Sequence, residues 1–166
     1  MAKHKEEKTN VMRILDREKI PYTARFYEET QGPEGTREYG LHVAEALGQD
    51  PARGFKTLAA RGASGGICIF EVPAPENLDL KKAARAVGEK SVELLRVAEI
   101  NEATGYVRGG CSPVGMKKRY PTVFHRTALD YETIFISGGR IGAQVEVSPQ
   151  ALLDLLGASA ADITAE

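Results

Sequence analysis

Four glycines, a proline and a serine meet a basic run between Thr104 and Arg119, in Thr104-Gly-Tyr-Val-Arg-Gly-Gly-Cys-Ser-Pro-Val-Gly-Met-Lys-Lys-Arg119. Gly109, Gly110 and Gly115 allow the backbone to turn through positive φ and to approach a ligand closely. Such a loop can aim several N–H groups at one anionic or developing-anionic oxygen. A second glycine loop, Ser137-Gly-Gly-Arg-Ile-Gly142, could form an opposing wall. Lys56 stands near the start of an apolar strand segment, between Phe55 and Thr57. There its stem can lie among apolar neighbours while the ammonium meets one oxyanion or phosphate. Each feature also has a plain structural reading: a surface turn for either loop, and an exposed strand lysine for Lys56.

Other reactive side chains carry a similar choice. Cys111 could be a thiol nucleophile exposed by the glycine loop, or a small apolar filler, since no histidine is spaced as its base. Cys68 falls in the most apolar segment and reads as core. His125, beside Arg126, is either a general base or a structural histidine. Lys117, Lys118 and Arg119, together with Lys81, Lys82 and Arg85, could contact an RNA backbone or form solvated faces. Neither glycine loop is a Walker A sequence or a full dinucleotide fingerprint, which gives nucleotide cofactors little support. The two cysteines and three histidines are too scattered for a metal site.

The elements that must position these residues follow from periodicity. Thr9 or Asn10 caps a helix to about Lys19, with Val11, Ile14, Leu15 and Met12 on its apolar side, and Pro21 closes it. Tyr22–Tyr27 alternates as a strand. Residues 28–37 read as a mobile loop, and 41–47 as a short helix ended by Gly48. Residues 55–61 and 66–72 form two strands, the second apolar enough to be buried on both faces. Asp79 caps a helix to Val87 that turns Leu80, Ala83, Ala84 and Val87 inward. A short strand and a helical turn occupy 91–103. Strands at 122–125, 133–137 and 143–147 follow, and Pro149 starts a helix that ends at Gly157.

The chain has 166 residues, enough for one domain with a sizeable core. Lys+Arg 22 against Asp+Glu 23 leaves a net charge of −1, so any RNA contact must be a local patch. No signal peptide or membrane-length apolar run is present, and an intracellular, cytoplasmic protein is expected. The fold class is α+β: a single domain with a mixed, barrel-like sheet core flanked by helices. Residues 1–7 are expected to be a flexible N-terminus, 8–157 the domain, and 158–166 a C-terminal tail.

Seven segments occur in the order seen in one family. They are Lys8-Thr-Asn-Val-Met-Arg-Ile-Leu-Asp16, Phe55-Lys-Thr-Leu58, Leu78-Asp-Leu-Lys-Lys82, Thr104-Gly-Tyr-Val-Arg-Gly-Gly110, Ser112-Pro-Val-Gly115, Ser137-Gly-Gly139 and Val145-Glu146. Over residues 8–157 the chain resembles the YbaK/EbsC family, free-standing relatives of the editing domain of bacterial prolyl-tRNA synthetases. The resemblance implies a trans-editing aminoacyl-tRNA deacylase that hydrolyses Cys-tRNA(Pro) without metal or organic cofactor. Such editing answers a physical limit, because one pocket rejects a similar small side chain by only ~100-fold.

By the same resemblance, Lys56 is the essential lysine, and the backbone donors of Gly109 and Gly110 face the ester carbonyl. Tyr27, Tyr39, Thr57, Ser112, Ser137, Gly138 and Gln144 fall at substrate-binding positions. The proposed family mechanism has the substrate's own thiol attack its ester, so the protein positions and stabilises. Gln144 departs from an aspartate that faces the substrate ammonium, which bears on amino-acid specificity. The implied partners are the acceptor end of mischarged tRNA(Pro) and prolyl-tRNA synthetase, with no DNA or membrane. Two alternatives remain: a deacylase for Ala-tRNA(Pro) or another small amino acid, and a non-catalytic module that binds aminoacyl-tRNA or a synthetase.

Overall fold

A computed structural model describes residues 7–27, 43–45 and 47–165. Helix α1 (Asn10–Arg17) begins where the Thr9 hydroxyl accepts the Met12 N–H, and it buries Val11, Met12 and Leu15. It ends two residues earlier than its periodicity suggests, where Lys19 adopts a positive φ of 61°. Strands β1 (Tyr22–Phe26), β2 (Phe55–Gly62) and β3 (Ile67–Pro73) follow. Helix α2 (Leu80–Val87) is capped by Asp79 and closed by left-handed Gly88. Then come β4 (Val92–Leu94), α3 (Val97–Thr104), β5 (Thr122–His125), β6 (Ile134–Ser137) and β7 (Ala143–Val147). Helix α4 (Pro149–Leu156) is capped by Ser148, with proline at its first position, and leads to β8 (Ser159–Ala161).

The strands make two sheets, β1-β7-β6 and β4-β2-β3-β5-β8. The first is antiparallel throughout. In the second, β3–β5 and β5–β8 are parallel, and the other pairs are antiparallel. An isolated parallel bridge, Gly54–Phe135, joins the start of β2 to β6. Among the described residues the strands do not close, so the barrel-like core expected from sequence is two joined, open sheets, one antiparallel and one mixed, with helices against them.

Period-2 alternation assigns the side chains of β2 to two faces. Lys56, Leu58 and Ala60 lie opposite Val72, Phe70 and Cys68, and this face packs on Ala83 and Ala84 of α2. Phe55, Thr57 and Ala59 take the other face with Glu71 and Ile69. There Phe55 joins the main core of Val11, Leu15, Phe124, Ile134, Ile136, Val145 and Leu152. Fully burying side chains of this size contributes about 1.5–3 kcal/mol each.

Two further expectations need correction. Leu80, assigned inward, is 44% exposed, because the first residue of a short helix lies beyond the edge of the buried stripe. The C-terminal tail is no tail. Its residues Ser159–Ala161 add a parallel edge strand to β5, Ile163 is buried, and Thr164 bridges Leu78. Glu71 interrupts the apolar run of β3 and is fully buried. The expected helix at 41–47 is helical at 43–45 and 47, while the N-terminal residues 1–6, the 28–37 loop and Tyr39 lie outside the described residues.

Candidate active site

Where the two sheets meet, one cavity of about 110 Å³ opens among segments far apart in sequence. Lys56 and Thr57 come from β2, Gly109 and Cys111 from the glycine loop, and Ser137 and Gln144 from β6 and β7. Tyr27, Gln49 and Phe135 complete the polar and aromatic lining named here, with Phe55, Ile136 and Ala143 supplying apolar walls. The bridge Gly54–Phe135 places the Lys56 face of β2 beside the face of β6 and β7 that carries Phe135, Ser137 and Gln144. Lysine and amide therefore share a cavity because of strand pairing, not sequence proximity.

The glycine loop divides its roles. Gly109 has φ +88°, a conformation that glycine adopts without a β-carbon clash. Its N–H has no acceptor among the described residues, which suits it to meet a ligand oxygen. Gly110 does something else. Its N–H donates to Val107 O (3.0 Å), and an added Cβ would lie 3.0 Å from Arg140 Cα, so it locks one glycine loop against the other. Ser112 is fully buried, and its hydroxyl accepts the Val114 N–H. The Gly138 N–H donates to Ala143 O. Gly110, Ser112 and Gly138 thus stand behind the cavity, while Lys56, Thr57, Gly109, Ser137, Gln144 and Tyr27 line it. Turn geometry decides this, and residue types do not display it.

Gln144 is buried and accepts, at Oε1, a 2.7 Å hydrogen bond from Gln49 Nε2. Sequence reading missed Gln49; the two residues are 95 positions apart, and no local pattern signals such a contact. No aspartate or glutamate is among the described lining residues. Cys111 lines the cavity, but burial, helped by the nearby Glu71, pushes its thiol up to about 12. The thiol donates towards Thr104 Oγ1 at 3.9 Å. A neutral thiol is a poor nucleophile. His125 is buried away from the cavity, where burial lowers its pKa and its Nδ1 accepts the Ile163 N–H. It anchors the C-terminal strand.

Glu71 is the second residue that sequence reading missed. It is the cross-strand partner of Thr57, so both side chains share the inner face. Among the described residues neither carboxyl oxygen has a hydrogen-bond partner, and the buried Thr57 hydroxyl has none. Burial raises the Glu71 pKa well above the ordinary carboxylate range, against a smaller opposing pull from the Thr57 hydroxyl. It therefore keeps its proton to higher pH than an exposed glutamate does.

The basic groups assigned to RNA lie elsewhere. Lys82 Nζ donates to Asp162 and to Thr164 O, and Lys81 borders a groove with Arg85, Glu89 and Lys90. Lys117 Nζ donates to Glu102 O and an Arg119 Nη2 to Leu155 O, beside a different hollow that Lys118 also lines. No residue lines both hollows, and none of these five lines the cavity. Among the described residues no three His, Cys, Asp or Glu side chains come together as a metal site. No helix among them is long and apolar enough to cross a membrane.

Residues 36–155 match the family model of the aminoacyl-tRNA editing domain. The chain belongs to that family. It is 42% identical over 165 residues to EbsC of Enterococcus faecalis, a proposed Cys-tRNA(Pro)/Cys-tRNA(Cys) deacylase, covering 99% of this chain and 98% of that one. YwhH of Bacillus subtilis, an uncharacterised protein, is 28% identical over 111 residues, 66% of this chain and 69% of its own. The crystal structure of a proposed trans-editing enzyme for prolyl-tRNA synthetase superposes with a TM-score of 0.77 at 27% identity, covering 97% of this chain and all of that one. The editing-domain family thus accounts for a fold that brings a β2 lysine and a glycine loop to one small cavity.

Proposed function

We propose that this chain is a trans-editing aminoacyl-tRNA deacylase that removes cysteine from Cys-tRNA(Pro). The observation that carries this reading is the cavity uniting Lys56, Gly109 and Gln144 in a member of the editing-domain family. Lys56 presents its ammonium to the ester or to the terminal phosphate, and the Gly109 N–H meets the developing oxyanion. Gln144, oriented by Gln49, offers an amide to the aminoacyl group. The RNA itself meets the protein outside the cavity, and the Lys81–Lys82 and Lys117–Arg119 surfaces are separate places for it.

No carboxylate or imidazole lines the cavity among the described residues, and the Cys111 thiol is held neutral. That favours an acyl group with its own nucleophile. The cysteine thiol attacks its ester carbonyl, a C–S bond forms, and the C–O bond to the ribose breaks. The thiol proton ends on the departing ribose oxygen, and the thiolactone hydrolyses after release. With a net charge of −1 the chain binds free tRNA weakly, so a complex with prolyl-tRNA synthetase in the cytoplasm supplies tRNA selectivity.

Release of amino acid from tRNA(Pro) carrying cysteine, compared with S-methylcysteine, tests the reading. Cysteine should be released and the methylated residue retained. Equal rates would remove the substrate thiol from the mechanism, and no release of cysteine would remove the activity itself.

A further inference from the structure

Arg25, on β1, and Arg53, in the short 3₁₀ turn Pro51–Arg53, converge on one carboxylate beside the cavity. Arg25 Nη2 lies 2.6 Å from Glu146 Oε1, and Arg53 Nη2 lies 3.4 Å from Glu146 Oε2. Thr133 completes the frame. Its hydroxyl donates to Glu146 Oε2 at 2.6 Å, and its carbonyl accepts from Arg53 Nε and Nη2 at 3.2 and 2.9 Å. Both guanidiniums sit over the Phe135 ring, at 4.8 Å for Arg53 and 5.9 Å for Arg25. Phe135 also lines the cavity, as do Pro51 and Gly54 on either side of Arg53.

Three features distinguish this cluster from an ordinary surface ion pair. Two guanidiniums share one carboxylate, so a positive charge is left in excess. Neither Arg25 Nη1 nor Arg53 Nη1 is engaged by a hydrogen bond among the described residues, and both side chains keep solvent access, 39% and 30% exposed. Finally, Glu146, Thr133 and Phe135 hold the guanidiniums in place, so little side-chain freedom remains to be lost on binding. Hydrogen bonds from Arg25 and Thr133 lower the Glu146 pKa, so the carboxylate stays charged and keeps both arginines oriented.

We propose that Arg25 and Arg53 form a binding site for a phosphodiester of the RNA 3′ strand, next to the cavity that takes its aminoacyl end. Glu146 acts as a positioning residue that holds the two guanidiniums apart and aimed. This site deepens the tRNA-editing reading and rests on it for the identity of the RNA. Unlike the five lysines and arginines first assigned to RNA, these two arginines adjoin the cavity through Phe135, so one strand can reach both.

The experiment uses uncharged RNA, so it does not depend on catalysis. A hairpin ending in single-stranded CCA is titrated against wild type, Arg25→Gln, Arg53→Gln and the double variant over a range of KCl. The double variant should bind less tightly at every salt concentration, and the slope of log K against log[KCl] should fall in magnitude by about 1. Arg61→Gln, a basic residue paired with Glu99 away from the cavity, should keep the wild-type slope within error. In wild type, the CCA trinucleotide should shift the Arg25 and Arg53 Nε–H resonances, a readout independent of whether a variant folds. Unchanged resonances, or an unchanged slope in a folded double variant, would overturn the site. If the arginines bind RNA but no charged tRNA is deacylated, the site stands and the enzymatic reading fails.

Discussion

The two faces of β2 treat polar side chains in opposite ways. On the Lys56 side, continued across the bridge onto β6 and β7, the carboxylate and amide groups meet partners, and Arg25 Nε is the buried polar atom left without one among the described residues. Gln144 is held by Gln49, and Glu146 by Arg25, Arg53 and Thr133. On the Thr57 side, the Thr57 hydroxyl and both Glu71 oxygens are buried with no hydrogen-bond partner among those residues. Paired groups keep a fixed geometry and can present charge to a ligand. Unpaired buried groups cost stability, and the acid among them adjusts by keeping its proton. Changes at Lys56, Gln49 and Gln144 should therefore alter activity, and a change at Glu71 should alter stability and its pH dependence.

The largest expected effect is on the first face. Lys56→Ala should slow single-turnover deacylation at least about 100-fold, as loss of an oriented positive group in a transition-state site does, with the melting temperature little changed. A variant that melts early would blur the division between the faces.

Glu71→Gln probes the second face. The unfolded-state glutamate titrates near 4.3, whereas the native one titrates well above it. Between those values the native chain holds a proton that the unfolded chain has released. Stability from this group is therefore full below the lower value and declines as pH rises through the upper one. Glutamine removes that decline. Subtracting the Glu71→Gln melting curve from wild type across pH 4 to 9 should isolate it, with the variant gaining about 1–3 kcal/mol at the alkaline end. Deacylation at pH 7 should stay near wild type; a large loss there would move Glu71 into the chemistry.

Gln49→Ala should be milder, raising KM by about threefold to tenfold because one oriented hydrogen bond to Gln144 is lost. A change in kcat at constant KM would mean that Gln144 acts only in the transition state. Cys111→Ser should do least, with rates within about threefold of wild type, since a thiol held up to about 12 supplies no thiolate.

Much of this was legible in the chain because local chemistry determines it. Thr9, Asp79 and Ser148 cap their helices, and Gly88 and Gly157 end theirs in left-handed conformations. Lys56 stood out as a charge in an apolar strand. What escaped notice depends on pairing across the chain. Ser159–Ala161 has weak strand character by itself and is a strand because the β5 edge accepts it. Glu71 is tolerated in a buried strand because it can stay protonated, which residue patterning cannot express. Gly109 and Gly110 look alike in sequence, yet a single hydrogen bond to Val107 O turns one amide away from the cavity. Arg25 and Arg53 read as ordinary surface charges until Glu146, 93 residues after Arg53, brings them together.

The most direct measurement is a panel of tRNA(Pro) charged with cysteine, alanine or proline, each followed to free amino acid with wild type and with Lys56→Ala. The account predicts rapid release of cysteine by wild type, slower release of alanine and proline, and near-background release by the variant. Preference for alanine over cysteine, or equal rates with and without Lys56, would contradict it.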